Sequence, residues 1–557
     1  MTLVECVPNF SEGRNRRTID EIVGSISAVE GVRVLDVEVG EATNRTVVTF
    51  IGPPERVEEA AVAMILRAAE LIDMSSHRGA HPRLGATDVC PFVPVFDITM
   101  TECVALSRRV GERVGAEGIP VYLYEESATA PHRRNLADIR RGEYEGLAAK
   151  LADPEWRPDF GPSEFDERVR RTGATVMGAR EFLIAYNVNV NTTERRLAHE
   201  IALNIREAGR AKRDEKGEIV RDADGKAIKI PGRLKAVKAI GWYIDEYDRA
   251  QVSINLVSYR TTPLHVVFET CVEEAERLGL RVTGSEIIGL VPKEPLVEAG
   301  RYFLRKQGRS AGVPERDLIR AAILSLGLSE LSPFVPEERI IEYIIAEEVL
   351  PAMTVRGFMK ELSRESPAPG GGSVASLAGA LGAALTSMVA VLTHKKKGME
   401  EIRPEMEEVG VESQSLMERL LRLIDLDTEA FDRVMSAIRM KARTDEERVE
   451  REAALRSAYL EAAEVPLETM GRALDVMRLA RRAAEMGNPS ALSDAGSAAI
   501  MARAAVQAAA LNVRINLKEI DDPSEKDPVL GRMEVILEEV ETLYPEVMRI
   551  VNERGDL

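Results

Sequence analysis

The sequence has few cysteines and no paired cysteine motif. Its four cysteines, Cys6, Cys90, Cys103 and Cys271, are scattered over 557 residues without any C-x-x-C pair. A disulfide framework or a structural zinc site would need more cysteines or closer spacing, so neither is expected. The N-terminus "MTLVECVPNFSEG" also lacks the basic and apolar regions of a secretory signal. Both observations favour a cytoplasmic protein.

An excess of positive charge is also missing, because 92 Asp and Glu outnumber 74 Lys and Arg. The formal net charge is -18 at pH 7. Binding to a nucleic acid backbone needs a basic surface that replaces counterions, so we expect no nucleic acid partner.

Long apolar runs are absent with one exception. Residues 374–392, "VASLAGALGAALTSMVAVL", carry no charge over about the length that spans a bilayer. Alanine, glycine and serine dominate this run, and small residues let helices approach closely inside a protein. We expect a buried bundle helix and no membrane association.

A chain of 557 residues is too long for one hydrophobic core, so several domains are expected. In the first part of the chain, strands and helices alternate. The apolar pattern predicts the order βαββαβ up to the strand "DVCPFVPVF", and the same order recurs after Glu181. This order is typical of the ferredoxin-like fold, in which two helices cover one face of an antiparallel sheet.

From about Thr354 the sequence is rich in Ala, Leu, Met and Glu and shows almost no strand pattern. The predicted fold class is a multidomain protein with an α+β N-terminal half of two ferredoxin-like subdomains and an all-α C-terminal domain. The predicted boundaries are 1–182 and 183–344 for the subdomains, 345–353 for a linker and 354–557 for the helical domain. Residues 211–231 form a peripheral insertion with a hairpin turn at Asp224-Gly225.

Two histidines stand four residues apart in "HRGAHPRLGATDVCPF", residues 77–92. On a helix, His77 and His81 would point at one metal ion, but Gly79 and Pro82 disfavour a helix there. We therefore expect a loop without a metal site. A loop histidine can serve as a general base near neutral pH, although turn histidines often only satisfy backbone groups.

Several segments of the first half resemble the glutamate formimidoyltransferase family. They include "LVECVPNFSEG", "TNRTVVTFIGPPE", "HPRLGATDVCPFVPV", "IPVYLY", "DFGPSEF" and "PGRLKAVKAIGWYIDE". The resemblance covers most of residues 1–344 and implies that His81, in the H-P-R-x-G-A motif, is the catalytic base. It leaves His77 without a role.

The same resemblance places the folate contacts in two segments, Gly161 to Gly173 and Gly232 to Gly241. Around the implied pocket, Arg45, Arg233 and Lys235 are candidates for binding substrate carboxylates, because cationic groups, guanidinium above all, recognise them. A solvated surface position is the alternative for each. The implied reaction transfers a formimidoyl group between the amino nitrogen of glutamate and nitrogen 5 of tetrahydrofolate.

In the second half, an acidic residue interrupts an apolar helical stripe. The stripe continues through "SLMERLLRLIDLDTEAFDRVMSAI", and Asp427 occupies the core position between Ile424 and Phe431. A buried carboxylate is costly, and burial would raise its pKa toward a range useful for proton transfer. A hydrogen-bonded structural carboxylate is the alternative. Asp425 shares a face with other acids, which predicts a solvated position.

A proline-glycine turn in "SPAPGGGSVASLAGALGAALTSM" opens directly into the small-residue helix. Free N–H groups at Gly371, Gly372 and Ser373 could receive an anion or a polar ring, although a simple tight turn is the alternative. Asn512 and Asn516 lie one turn apart in a later helical segment and could hydrogen-bond a ring of the ligand.

This half resembles the formimidoyltetrahydrofolate cyclodeaminase family through "PGGGSVAS", "GAALTSMV", "DLDTEAF" and "NVRINL". The fusion of both halves is similar to the bifunctional formimidoyltransferase-cyclodeaminase family. The resemblance implies that Asp427 is the catalytic acid, that Asn512 and Asn516 face the pterin, and that the product is 5,10-methenyltetrahydrofolate with loss of ammonia. The whole protein would then be a two-step folate enzyme, a transferase and ammonia-lyase of histidine degradation and one-carbon metabolism.

The implied co-substrate is tetrahydrofolate, and no metal is implied. Lys395 and Lys396 could attract a polyglutamate tail of the folate, although a cationic, solvated helix end is the alternative. The expected partners are small molecules and further copies of the chain, as a dimer or a ring of dimers. Three alternatives remain: a formyl donor in the N-terminal half, a metal hydrolase, and a noncatalytic folate-binding protein.

Overall fold

The computed structural model describes residues 2–41, 43–79, 81–222, 225–345, 349–366 and 368–556. Contacts divide the chain into two compact units. The mixed unit comprises Met1–Pro292 and Val335–Ile344, and the helical unit comprises Lys293–Phe334 and Ile345–Leu557. The segment Lys293–Phe334 thus groups with the helical unit, whereas the sequence places it in the second subdomain.

The described part of the mixed unit begins with a seven-stranded sheet. Its strands are β1 (Leu3–Cys6), β2 (Asn9–Phe10), β3 (Arg33–Gly40), β4 (Arg45–Gly52), β5 (Thr87–Phe96), β6 (Val121–Glu125) and β7 (Thr175–Ala179). The order is β1-β4-β2-β5-β7-β6, with β3 on β4. The β5–β7 and β6–β7 pairs are parallel, and the other pairs are antiparallel.

Three helices cover one face of this sheet: α1 (Arg16–Ser27), α2 (Pro54–Leu71) and α3 (Met100–Ala116). The α1 helix begins where the Asn15 side chain accepts a hydrogen bond from the Thr18 N–H, as an N-cap does. Its buried isoleucines join Phe10 and Phe50 in the core. The elements β1, α1, β3, β4, α2 and β5 follow one another along the chain, and β2, β6 and β7 enlarge the sheet beyond the predicted four strands.

The segment between β6 and β7 forms three short helices, α4 (Leu136–Ile139), α5 (Leu147–Ala152) and α6 (Glu167–Thr172). Their apolar residues pack with Leu84, Val89, Tyr122 and Tyr124 in a second core. The sequence pattern did not predict these helices, because each is too short to show a helical period.

The second sheet of the mixed unit has the order β11-β12-β8-β13, and every pair is antiparallel. Its elements, with an inserted pair of short strands, are β8 (Ile184–Val190), α7 (Arg195–Ile205), β9 (Arg210–Ala211), β10 (Lys229–Ile230), β11 (Val237–Ile244), β12 (Arg249–Leu256), α8 (Leu264–Arg277) and β13 (Val282–Ile288). In the insertion, Asp224 lies outside the described residues, and Gly225 has a φ of +75°.

The remaining described elements are helices. They are α9 (Lys293–Lys306), α10 (Glu315–Leu326), α11 (Pro336–Arg339), α12 (Ile341–Ile345), α13 (Val355–Leu362), α14 (Gly371–Lys395), α15 (Arg403–Ile438), α16 (Asp445–Met486), α17 (Leu492–Leu517) and α18 (Pro523–Gly555). Alanines dominate the core between α14, α16 and α17, because small side chains let these helices approach closely.

By length and composition, α14 could cross a membrane, and it is the one such helix among the described residues. Most of its apolar window is buried inside the helical unit. This is the arrangement expected for a core helix of a bundle.

The α9–α10 hairpin packs on α14 and α15. The backbone N–H of Ala311 lies 3.0 Å from a carboxylate oxygen of Glu407, and the Ser387 hydroxyl donates to the Gly312 carbonyl at 3.1 Å. A Cβ atom on Gly312 would lie 2.7 Å from the Gly410 backbone, so this contact needs glycine. The hairpin is thus an integral part of the helical unit.

The α16 helix contains Pro466, which has no N–H to donate to the carbonyl of Ala462. The side-chain amide of Asn516 on α17 donates to this carbonyl at 2.6 Å. Asn516 therefore replaces the hydrogen bond that proline removes, and it ties α17 to α16.

We expect Asn516→Ala to lower the free energy of unfolding by about 1–3 kcal/mol, because it leaves a buried carbonyl without a partner. Denaturant unfolding measures the effect. In a Pro466→Ala background the new backbone N–H can serve the same carbonyl, so the loss should shrink. Equal losses in both backgrounds would show that the Asn516 amide does not compensate for the proline.

Candidate active sites

The two histidines of the first candidate site lie in the connection between α2 and β5. The described residues from Ile72 to Ala86 form no helix, so the loop prediction for His77 and His81 is confirmed. The two imidazoles therefore do not share a helix face. Among the described residues, no three His, Cys, Asp or Glu side chains are grouped so that they could hold a metal ion.

One ring nitrogen of His81 forms a hydrogen bond with the backbone. Its Nδ1 lies 2.7 Å from the Pro82 carbonyl oxygen. A carbonyl only accepts, so Nδ1 carries the proton and Nε2 keeps its lone pair in the neutral ring. Burial and the nearby Arg45 and Arg140 guanidinium groups lower the pKa of His81. The ring is thus a base with its free nitrogen available at neutral pH.

A buried ion cluster holds these cations in place. Asp88, at the second position of β5, is fully buried and pairs with Arg45 from β4 and with Arg140 at the end of α4. It also accepts a hydrogen bond from the Leu84 N–H at 2.9 Å. Burial raises the pKa of Asp88, but the two guanidinium groups lower it by more than burial raises it. The pKa of Asp88 is therefore below its ordinary value. We call Asp88, Arg45 and Arg140 the Asp88 cluster.

Of the predicted carboxylate-binding residues, the structure brings Arg45 to His81. Arg45 donates to the Asn9 side chain at 3.1 Å and pairs with Asp88, which leaves part of its guanidinium group uncommitted. Arg233 instead pairs with Glu273 and Glu274 of α8, at 2.5 and 2.8 Å.

Lys235 is 71% exposed, and its ammonium group lies 3.7 Å from Glu207. Just beyond it, a cavity of about 500 Å³ is lined by Glu207, Lys238 and Ile240, among others. Lys238 is near enough to the first sheet to lower the pKa of Glu125, although burial of that carboxyl dominates and raises it.

The predicted folate-contact glycines pack against the backbone. Gly161 has a φ of +83° beside the Ile119 carbonyl, and Gly232 lies against the Arg206 carbonyl. Gly241 on β11 lies against His199 of α7, where a Cβ atom would come within 2.1 Å of the backbone nitrogen. These positions let neighbouring segments approach closely, which is a structural reason for glycine.

The second candidate site lies at the start of α14. The carboxylate of Asp427 on α15 accepts a hydrogen bond from the Ser373 hydroxyl at 3.0 Å. A Cβ atom on Gly372 would lie 2.0 Å from a carboxylate oxygen of Asp427, so only glycine allows this approach. The carboxylate therefore sits at the positive end of the helix dipole.

Burial raises the pKa of Asp427, while side-chain and backbone hydrogen bonds from Ser373 act in the opposite direction. The Ser373 oxygen also lies 3.3 Å from the Ile424 carbonyl. Its proton can point to an ionised Asp427, or to that carbonyl when Asp427 is protonated and donates to the serine oxygen. Ser373 thus has a hydrogen bond for each protonation state of Asp427.

The structure brings Asn512 to the same place. A Cβ atom on Gly371 would lie 3.3 Å from the amide nitrogen of Asn512. That nitrogen donates to the Ala508 carbonyl within α17, and the amide oxygen takes no part in this hydrogen bond. Gly371, Gly372, Ser373, Asp427 and Asn512 therefore form one cluster, whereas the amide of Asn516 is used by the Ala462 carbonyl.

The prediction that Asp425 is a solvated residue is wrong. Its carboxylate is half-buried and accepts hydrogen bonds from the N–H groups of Val349 and Leu350, at 3.3 and 3.1 Å. Burial raises the pKa of Asp425 despite these bonds. Helical periodicity could not reveal this, because the partners come from a segment with no regular pattern.

Lys395 and Lys396 lie at the other end of α14 from Gly371. A helix rises 1.5 Å per residue, so Lys395 is about 36 Å along α14 from Gly371, the end at which Asp427 lies. Lys396 also donates to the side chain of Asn488 at 2.5 Å.

Sequence reasoning missed Asp88 and Arg140. An acid inside the apolar strand "TDVCPF" was a usable signal, since a buried carboxylate demands a cationic partner. Nothing local marks Arg140 among its many neighbouring arginines.

Family sequence models match almost the whole chain. One described as "Formiminotransferase domain, N-terminal subdomain" matches residues 3–180, and one described as "Formiminotransferase domain" matches 185–346. A third, described as "Formiminotransferase-cyclodeaminase", matches 354–535.

Relatives cover either the whole chain or one half. The "Formimidoyltransferase-cyclodeaminase" of Mus musculus is 44% identical over 545 residues, which is 97% of each chain. The "Glutamate formimidoyltransferase" of Thermoplasma acidophilum is 43% identical and covers 58% of this chain and 99% of its own. The "Methenyltetrahydrofolate cyclohydrolase" of Methylorubrum extorquens is 38% identical and covers 36% of this chain and 97% of its own.

The environment of His81 predicts an imidazole that stays neutral below the ordinary histidine pKa of about 6.5. NMR titration of 13C-labelled histidine should therefore give His81 a pKa lower than this, with His81→Gln assigning the signal. Arg140→Gln removes a cation and should raise the value. A wild-type value at or above 6.5, or a fall in the variant, would contradict the assigned role of the cations.

Proposed function

The chain belongs to the formiminotransferase-cyclodeaminase family, and on this premise we propose that His81 and Asp427 are the catalytic groups of its two reactions. The protein is a bifunctional folate enzyme. It transfers the formimidoyl group between N-formimidoyl-L-glutamate and tetrahydrofolate. It then cyclises 5-formimidoyltetrahydrofolate to 5,10-methenyltetrahydrofolate and releases ammonia.

In the transfer step, nitrogen 5 of tetrahydrofolate attacks the amidine carbon. Nε2 of His81 accepts the proton that this nitrogen loses. The bond from the amidine carbon to the glutamate nitrogen then breaks, and the same Nε2–H returns the proton to that nitrogen. The observation that supports this role is the bond from Nδ1 to Pro82, which fixes the tautomer with Nε2 free.

Three cations are proposed to bind substrate carboxylates. The case is strongest for Arg45, which lies beside His81. Asp88 and Asn9 occupy only some of the N–H donors of its guanidinium group. Arg233 and Lys235 would have to exchange glutamate partners for the substrate. We place the folate along Gly161–Gly173 and Gly232–Gly241, beside the cavity next to Lys235.

In the cyclisation step, nitrogen 10 attacks the formimidoyl carbon, and the carboxylate of Asp427 accepts its proton. The carboxylic acid then protonates the departing nitrogen, which leaves as ammonia. A raised pKa favours this exchange, because it makes the carboxylate a better proton acceptor than an exposed aspartate. Gly371, Gly372, Ser373 and Asn512 are the proposed contacts of the folate, and Asn516 would contribute its amide oxygen, because its amide nitrogen donates to the Ala462 carbonyl.

In both steps the substrates form and break the carbon–nitrogen bonds and the protein only moves protons, so we propose no metal cofactor. The finer fold assignment is also a proposal: the order β11-β12-β8-β13 supports a ferredoxin-like class for the second subdomain, and the first would be an enlarged version of it. A cytoplasmic location is supported by the described cysteines, which are all free and buried thiols.

We propose that the enzyme forms a homo-oligomer, either a dimer or a ring of dimers. The support is a row of exposed apolar side chains along α14, spaced one or two helical turns apart. They are Val374, Leu381, Met388 and Leu392, which are 37–47% exposed. Such a row suits packing against a helix of a second copy.

The two catalytic assignments predict losses in different steps. With formimidoylglutamate and tetrahydrofolate supplied, His81→Gln should reduce transfer by at least about 100-fold, yet still cyclise added 5-formimidoyltetrahydrofolate. Asp427→Asn should accumulate that intermediate without forming the methenyl product, which absorbance detects.

Asp425→Asn is the matched control, since Asp425 is a second half-buried carboxylate on α15 with a raised pKa. It should keep the cyclisation rate. Loss of both activities in either catalytic variant would reject the assignment. Activity with formylglutamate alone would favour the formyl-donor alternative, and no product at all would favour a noncatalytic folate-binding protein.

The glutamate tail of the folate is proposed to lie in a groove of about 440 Å³ between α17 and α18. The groove contains Arg514, Lys518 and Lys526 over an apolar floor that includes Leu511 and Ile515. Leu511, Arg514 and Ile515 of its lining lie on α17, the helix that also carries Asn512. Cations over an apolar floor suit an aminobenzoyl ring followed by carboxylates.

Arg514→Glu combined with Lys518→Glu should raise KM for a pentaglutamate folate in the cyclisation more than KM for the monoglutamate. Steady-state kinetics with both substrates measure this difference. The pair Lys395→Glu and Lys396→Glu makes the same charge change at the far end of α14. If that pair alone shows the tail-dependent loss, the tail lies there instead.

A further inference from the structure

The second histidine of the loop, His77, is buried and has both ring nitrogens engaged. Its Nε2 lies 3.0 Å from the Asn44 carbonyl oxygen, and its Nδ1 lies 3.3 Å from Nε of Arg83. A carbonyl can only accept and a guanidinium can only donate. Nε2 therefore carries the single ring proton, and the Nδ1 lone pair accepts from Arg83. The ring is neutral, and no nitrogen remains for a substrate.

Arg83 extends this contact to a third segment. It is 5% exposed, and its guanidinium group donates to both carboxylate oxygens of Glu145, at 2.7 and 2.8 Å, and to Glu143 at 3.1 Å. The Arg83 carbonyl accepts from the Tyr144 N–H at 2.8 Å. A bidentate bond of this kind fixes the direction of the guanidinium plane as well as its distance.

Asn44 completes the connection on the other side. Its side-chain nitrogen donates to the Arg78 carbonyl at 3.0 Å, and its side-chain oxygen accepts from the Gly13 N–H at 2.9 Å. Asn44 thus bonds to the histidine loop through its backbone carbonyl and through its side chain. Arg45, the next residue, belongs to the Asp88 cluster.

His77 and Arg83 therefore join three segments of the chain, and each segment carries one group of the proposed transfer site. The segment at Asn44 carries Arg45, the loop itself carries His81, and the segment before Glu143 carries Arg140. We propose that His77 and Arg83 are positioning residues of the transfer reaction, which hold His81 between Arg45 and Arg140. This inference rests on the proposed role of His81.

The charges around the two histidines differ. His77 faces Arg83, with Glu12 and Arg14 nearby, while His81 faces Arg45, Arg140 and Asp88. Protonation of His77 would place a cation against the Arg83 guanidinium and remove its acceptor. His77 is thus a permanent hydrogen-bond connector, while His81 is free to exchange protons.

The test uses the full-length enzyme, and circular dichroism with thermal unfolding checks that the mixed unit, which carries the variants, is still folded. In His77→Gln the amide can keep the donor to Asn44 but cannot accept from Arg83 at the Nδ1 position. We expect the transfer kcat to fall about tenfold or more, because a small displacement of a base is costly. KM should change little. The transfer rate falls at low pH because His81 becomes protonated, and this acid limb of the pH profile should shift in the variant but remain present.

Glu145→Gln weakens the Arg83 contact from the other side and should produce the same kind of change, so the test does not depend on one variant. Arg109→Gln is the control, since it breaks an ion pair with Glu58 on the surface of the same subdomain. It should leave kcat and the pH profile unchanged.

An unchanged kcat and pH profile in both His77→Gln and Glu145→Gln would overturn the proposal. Disappearance of the acid limb in His77→Gln would also overturn it, since His77 would then be the titrating group. Failure of the proposed function looks different: His81→Gln would retain transfer activity while the His77 variant loses it.

Discussion

The mixed unit is organised around one buried carboxylate. Asp88 is inside the protein at the start of a core strand, where an ionised group is tolerated only with close cationic partners. Arg45 and Arg140 supply these partners from β4 and from the end of α4. The requirement for charge compensation therefore brings three distant parts of the sequence to one point, and His81 lies beside that point.

Burial tunes the two candidate catalytic groups in opposite directions. Removal of water disfavours the charged form of either group, so it lowers the pKa of the His81 imidazole and raises that of the Asp427 carboxyl. The lower pKa keeps the His81 imidazole neutral at neutral pH, and the higher pKa makes the Asp427 carboxylate a stronger proton acceptor than an exposed one. The surroundings then differ: guanidinium groups reinforce the shift at His81, whereas hydrogen bonds from Ser373 limit it at Asp427.

The sequence predicted those features that depend on local pattern. Gly79 and Pro82 were sufficient to reject a helix at the histidines, and the apolar stripe was sufficient to single out Asp427. The pairing of β6 with β7 and the partners of Arg233 involve residues far apart in the chain, which no local period encodes. The same limit applies to Asp425 and to His77, whose surroundings exist only after the chain has folded.

The division of the chain into units also bears on its connectivity. The polypeptide passes from the mixed unit to the helical unit after Pro292, returns at Val335 and leaves again after Ile344. Two domains that follow one another along the sequence would need a single crossing, whereas this chain makes three. A single cut in the polypeptide, whether after Pro292 or after Ile344, would therefore leave part of one unit attached to the other.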